Sequence, residues 1–338
     1  MNAAFLFMAA WNCPAFDQPE LVGRVENPAL AEASGLVRLR GNDGFWSHND
    51  SGDQARLFAF DRSGRDRGQV ILEGIGALDW EDLSAGPCGS SRCLFIGDIG
   101  DNASARLEIL VHRIIEPDPP GKNQTTSVEA QTLRLSYPDG AIDAEGLATD
   151  PQTGDLLIVT KNRRRAISTV YALRSDSWAS QEPVVLEVVG QITWEGEGLA
   201  TQATAAAIEP SGNELFVQTY TQGQRIQLER EDGEITGLGR QSFWMPWSLG
   251  QCEAMAFADE GQSIWFTCEA VPAPLARANC LSQPPDVGER PAPSHPPTPD
   301  PDVGCGGCQS NSQITWITLL LFALRGRPKG VKSPRRSL

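Results

Sequence analysis

One plan recurs along this chain, and a fixed repeat restricts a fold more tightly than composition does. The fullest copy is residues 79–102, DWEDLSAGPCGSSRCLFIGDIGDN. An acidic residue, Glu81, opens a short run, a Gly/Ser turn follows, and an apolar strand ends at Asp98. Two short runs split by a turn predict a β-hairpin, which places Glu81 and Asp98 at one corner. Ser34 to Asn49, Glu145 to Lys161 and Glu253 to Glu269 repeat the plan, so the four offsets are 15, 17, 16 and 16 residues in chain order. A degenerate copy runs from about Ala205 to Thr219-Tyr220.

Openers recur every 47 to 64 residues, with about four strand-length runs in each interval. That period predicts an all-β protein, a β-propeller of five blades, with six as the alternative. The expected blades are 32–75, 78–138, 142–193, 203–245 and 252–280. In the second, Glu108–Ile115 is the expected third strand, Val128–Ser136 the fourth, and 116–127 an exposed linker. Glu195-Gly-Glu-Gly-Leu199 resembles another opener, either a loop beside blade four or the trace of a sixth blade. The last repeat lacks a fourth strand, and the lone run 20–25 is expected to supply it and close the circle.

The domain plan that follows is a signal or export segment at 1–19, the propeller at 20–282, a Pro-rich linker at 283–303 and a Cys-containing C-terminal segment at 304–338. Residues 1–12 have an apolar run but no basic n-region. The apolar run 314–324 is shorter than the ~20 residues of a spanning helix. Its order of parts (spacer, Cys305-Gly-Gly-Cys308, apolar run, Arg/Lys tail) resembles the C-terminal sorting signals of the cysteine-containing myxobacterial type. That resemblance implies export and attachment to the cell envelope through the C-terminus. Eight cysteines fit an oxidising compartment, with candidate pairs Cys88/Cys93, Cys252/Cys268 and Cys13/Cys280. The last pair would close the ring.

First strands of blades face the axis, so the openers Ser34, Glu81, Glu145, a small residue near Ala205 and Glu253 are expected around one mouth. Asn49, Asp50, Asp98, Lys161, Tyr220 and Glu269 are expected close behind. Converging carboxylates repel, and a hard cation relieves that repulsion. Glu81, Asp82, Asp98, Glu145 and Glu253 are therefore the candidate ligands of a metal ion, with calcium the expected cofactor. Asn49, Asp50, Asp98, Lys161, Arg163, Tyr220 and Glu269 are the candidate ligand-binding residues, with Arg163-Arg164-Arg165 offering either an anion site or a solvated turn. His48 is a candidate base or a structural residue. Trp46, Trp80, Trp244, Trp247 and Trp265 are expected between blades, with Trp80 alternatively lining the funnel. No G-x-S-x-G element is present. A net charge of −15 argues against a nucleic-acid partner.

HNDSGD (48–53), LDWEDLS (78–84), GDIGDN (97–102), DAEGLA (143–148), TKN (160–162) and CEAMAF (252–257) together resemble secreted bacterial proteins described as WD40-like or phytase-esterase-like β-propellers. The resemblance spans residues 30–272, and its relatives include calcium-dependent phosphoesterases of propeller fold. Two functions are therefore expected as rivals. One is a monomeric, envelope-attached module binding a protein or small anionic ligand through a calcium-loaded funnel, with the membrane reached through the C-terminus. The other is a metal-dependent hydrolase of phosphoesters or related esters, with Glu81, Glu145 and Glu253 on the metal and Lys161 and Arg163 on the substrate.

Overall fold

The computed structural model describes residues 13–246 and 252–283, without the side chains of 244–246. Residues 1–12 of the expected signal or export segment 1–19, Trp247, and the linker and C-terminal segment beyond residue 283 lie outside the described residues, as does the side chain of Trp244, whereas residues 13–19 are described and belong to the propeller.

Five sheets follow one another along the chain. Their inner strands are Ala33–Arg38, Trp80–Cys88, Ala144–Thr149, Ala203–Ile208 and Ala254–Ala258. Each pairs antiparallel with the next strand out: Gly44–Asn49, Ser91–Asp98, Leu156–Thr160, Glu214–Thr219 and Ser263–Thr267. The second strands are almost continuously apolar because both of their faces are covered. Leu157 and Val159 pack toward blade four and Ile158 toward blade two, following the two-residue period of a strand. Phe45 and Trp46 divide in the same way between blades five and two. The five apolar clusters correspond to the five blade interfaces, including the one between blades five and one. The circle is closed, with five blades.

Closure uses the N-terminal segment as expected, over a longer stretch. Glu20–Arg24 pairs antiparallel with Pro274–Leu281, and Ala15–Phe16 pairs with the end of the same strand. Disulfides join Cys13 to Cys280, Cys88 to Cys93 and Cys252 to Cys268.

One expectation is corrected and two alternatives are decided. Residues 128–136 are not one strand: Thr125–Glu129 runs parallel to the outer strand of blade one, and Gln131–Ser136 is the outer strand of blade two. The segment 116–127 is thus a strap between two blades, pinned by buried Glu116, which pairs with Arg92 and accepts the Arg40 amide at 2.9 Å. Glu195–Leu199 founds no sixth blade; it leads through a short 3-10 turn, Gly198–Thr201, into the inner strand of blade four. Trp80 is 1% exposed and sits between blades one and two, so it does not line the funnel.

Candidate functional site

The openers reach the axis through a backbone device. In blades one to four the inner-strand register slips just after the first residue, leaving Ser34, Glu81, Glu145 and Thr204 in a β-bulge. A bulge twists the strand and re-aims the extra side chain. In blade five, Glu253 directly precedes the inner strand and is flanked by the Cys252–Cys268 bridge, Cα atoms 3.8 Å apart.

Seven carboxylates meet as a result. Oxygens of Asp50, Glu253 and Glu269 lie within 4.8 Å of one another, as do those of Asp50, Asp79 and Glu81, and those of Glu81, Asp143 and Glu145. The shared Asp50 and Glu81 join these groups into an arc over blades five, one, two and three. Blade four, whose bulge carries Thr204, contributes no acid to it. There the circuit is completed by Lys161 and Tyr220. Lys161 Nζ donates to Glu145 Oε1 at 2.6 Å and to the Tyr220 hydroxyl at 3.1 Å, and Tyr220 donates to Glu253. Gly100 makes room: a Cβ there would stand 2.1 Å from Glu81 Oε1 and 2.6 Å from the Asp79 carboxylate.

Positive charge is scarce in the ring. Lys161 is buried, and Arg163, with a side chain 45% exposed, stands 3.4 Å from Asp143 and 3.5 Å from Glu145. Carboxyl protons are therefore held tightly. Burial, then the charges of Glu145, Asp50 and Asp79, push Glu81 well above the carboxylate range. Burial pushes Glu145 up to about 8, outweighing Lys161. Asp50 rises to about 6 by burial and the charges of Glu253 and Asp79. Glu269 rises to about 7 by burial and the charge of Glu253. Asp79 and Asp143 are raised, mainly by burial. Asp143 accepts the Asp101 amide through Oδ1 at 2.9 Å, while its buried Oδ2 accepts no hydrogen bond. An all-oxygen set of carboxylates with a phenol nearby suits a hard cation such as calcium. Among the described residues no His joins these groups, which disfavours softer metals.

Other candidates stand apart from the ring. Asp82 accepts the amides of Leu83 and Leu147, each at 2.8 Å, and of Ala206 at 3.1 Å, so both of its oxygens are occupied in tying the inner strands of blades two, three and four. Ser34 Oγ donates to the Glu81 carbonyl, and Gln218 Nε2 to the Cys252 carbonyl at 2.7 Å, extending this belt to blades one and five. Asp98 shares a corner with Glu81, but its register partner is Trp80. Its carboxylate turns to Arg106 at 2.8 Å and the Leu78 amide at 3.1 Å. Burial would raise Asp98, but the His112 ring 3.9 Å away and hydrogen bonds from the Leu78 amide and Arg106 outweigh it and hold the group low. Asn49 accepts the amides of Ala31 and Glu32 and donates to the Ala29 carbonyl, fastening its own loop. His48, fully buried against Trp80 with ring centres 5.4 Å apart, is lowered to about 4 by burial and is not placed to exchange protons with a ligand. Arg164 and Arg165 are exposed, their amides capped by Asn162.

Asp79 and Asp143 are the ring members that sequence reasoning did not select. Their signal is an acid two positions before an acidic opener, Asp79-x-Glu81 and Asp143-x-Glu145.

No protein-family model matches the chain, and no curated protein matches it. Solved structures do. A putative oxidoreductase (glucose dehydrogenase) from Thermus thermophilus is 14% identical over 78% of this chain and 100% of its own, with a TM-score of 0.42. A gluconolactonase from Xanthomonas campestris is 11% identical over 80% and 99%, with a TM-score of 0.41. An auxiliary nutrient binding protein from Bacteroides thetaiotaomicron is 9% identical over 77% and 76%, with a TM-score of 0.44.

Proposed function

We propose that the carboxylate ring holds a hard divalent cation, calcium by its donor set, and that the loaded mouth binds a ligand or partner. The observation that carries this reading is seven acids joined into one arc with Lys161 and Arg163 as the cations beside them. Glu81, Asp143 and Glu145 form the most buried of the three groups, and it includes Asp143 Oδ2, which accepts no hydrogen bond and has only Arg163 near it, at 3.4 Å. An ion there would take over the relief of repulsion that these carboxyl groups otherwise obtain by retaining protons. Leu78, Leu107, Leu199 and Val271, on loops at the same end of the blades, are exposed and give the mouth an apolar rim for a ligand.

Calcium titrated into the chelator-treated protein should release heat, saturate, and raise the melting temperature, with E145Q weakening both effects. No heat and no melting shift would refute the reading.

A second reading, metal-dependent hydrolysis of phosphoesters or related esters, is favoured by one feature. Glu145, raised to about 8, lies against Lys161, with Arg163 at the rim. A group that titrates near neutrality beside an anion-binding cation suits proton transfer. Calcium-dependent turnover of a phosphoester or lactone, abolished in E145Q, would establish it.

Export and envelope attachment through residues 304–338 belong to the same proposal. They are supported by the three disulfides and by the order of the C-terminal parts. Deleting 304–338 should release the protein into the medium, and unchanged retention would defeat that part.

A further inference from the structure

The inner strands that carry the ring at one end enclose a cavity of about 540 Å³ at the other. All five contribute to its wall through their C-terminal halves, with Leu36, Leu83, Ala207, Ile208, Met255 and Phe257 providing apolar surface. From Glu81 to Pro87 is six residues along one strand, about 20 Å at ~3.3 Å per residue. The belt of Asp82, Ser34 and Gln218 hydrogen bonds crosses the channel between the two ends. The cavity is therefore separate from the ring, and its chemistry is opposite. Two arginines, Arg38 and Arg92, line it. Arg92 is neutralised by Glu116 and donates to the Arg38 carbonyl at 3.0 Å. Among the described residues, Arg38 has no ion pair and its guanidinium makes no hydrogen bond. The acid in the lining, Glu260, is exposed to solvent, where its charge is screened. The wall is thus polar and apolar in about equal measure, with Ser84, Ser91 and Thr149 beside the apolar side chains. An amphipathic cup of a size that holds small organic molecules, with one uncommitted guanidinium, is complementary to one kind of ligand.

We infer that this far mouth is a second binding site, for a small amphipathic organic anion: an aliphatic chain lying in the cup with a carboxylate on Arg38. The probes are hexanoate, octanoate and decanoate, with octanol as the uncharged counterpart, titrated calorimetrically into the full-length protein. Chelator is present throughout, so that a ring-bound cation takes no part and the outcome is independent of the calcium reading. Affinity should rise about fourfold per buried methylene. Octanoate should bind about 10- to 100-fold more tightly than octanol, the margin of a charge-assisted hydrogen bond. R38Q should erase that margin while leaving octanol binding and the melting temperature unchanged, and R38E should prefer octylammonium to octanoate. E81Q, at the other end, should bind octanoate as the wild type does. Absence of binding, equal affinity for octanoate and octanol, unaltered octanoate binding by R38Q, or its loss in E81Q would each overturn the inference.

Discussion

Replacing Asp82 with alanine and Glu81 with glutamine should move stability in opposite directions, although the residues are adjacent and both are buried. Asp82 accepts three backbone amides, from Leu83, Leu147 and Ala206, at 2.8, 2.8 and 3.1 Å. Alanine would leave three buried N–H groups without an acceptor, at a cost of ~1–3 kcal/mol each. Part is offset because a carboxylate no longer has to be desolvated, so a net loss of about 3 kcal/mol or more is expected. Glu81 is the reverse case. Among the described residues its carboxylate receives no hydrogen bond, and Glu145, Asp50 and Asp79 all repel it. Each such like-charge neighbour at ~4 Å costs between ~1 and ~4 kcal/mol across the range from water to a partly screened site. At pH 8 in chelator, E81Q should gain about 1–3 kcal/mol, and it should lose most of the stabilisation that calcium gives the wild type. Urea unfolding of both variants, with chelator and with calcium, measures all four values. The reasoning fails if D82A unfolds within about 1 kcal/mol of wild type, or if E81Q is destabilised in chelator.

The raised carboxyls also set a pH dependence. Asp50, Glu145 and Glu269, at about 6, 8 and 7, keep protons that the unfolded chain has released by about pH 5. The native state then binds more protons than the unfolded one, so stability in chelator falls as pH rises from about 4 to about 8, by about 1.4 kcal/mol per pH unit for each proton of difference. Calcium should flatten that slope and bind more tightly at higher pH; unfolding curves showing chelator-treated protein gaining stability across this window would contradict it. The Cys13–Cys280 bridge spans 267 residues and joins the N-terminal edge of blade five to its third strand. The C13S/C280S double variant should lose about 2–5 kcal/mol, read as a lower denaturant midpoint, and an unchanged midpoint would show that the strand pairing alone holds the circle.

Much of the architecture was legible because it rests on local signals repeated at a fixed interval. Apolar runs such as Leu156–Thr160 and Ser263–Thr267 fill the second strands, and the openers mark where inner strands begin. The N-terminal clasp could be inferred from an incomplete last blade. The swap at Thr125–Glu129 could not, since a parallel pairing to blade one leaves the same alternating pattern as an antiparallel pairing to blade two. Within the site, residue type and position located Glu81, Glu145, Glu253, Asp50 and Glu269, but not the direction of each side chain. Asp82 and Asp98 read as ligands beside Glu81, and the fold turns both to amides and to arginine. One residue of register decides which face of a strand a side chain takes, and the bulge supplies that residue.

The bulges connect the fold to the chemistry. In a regular strand Glu81 would alternate into the interface between blades, where an unpaired carboxylate carries a heavy desolvation penalty. The slip between Trp80 and Asp82 leaves Trp80 packed between blades one and two, Asp82 on the amides of its neighbours, and Glu81 beside the other ring carboxylates. The same slip at Ser34 and Thr204 delivers hydroxyls instead, and Ser34 donates across to the Glu81 carbonyl. The circle is thus close to fivefold in backbone and uneven in charge, with acids crowding one arc and Lys161 and Tyr220 closing the remainder. Blade four is where that asymmetry can be altered. T204E would place an eighth carboxylate on the bulge beside the Cys252 carbonyl, which Thr204 now approaches at 3.5 Å. Thr204 is fully buried, so the variant carries a packing cost as well as the added charge, and only the part that calcium restores reports the charge. The variant should therefore melt lower than wild type in chelator and recover more of its stability when calcium is added; an equal calcium response in both proteins would show that the fourth bulge does not face the ring.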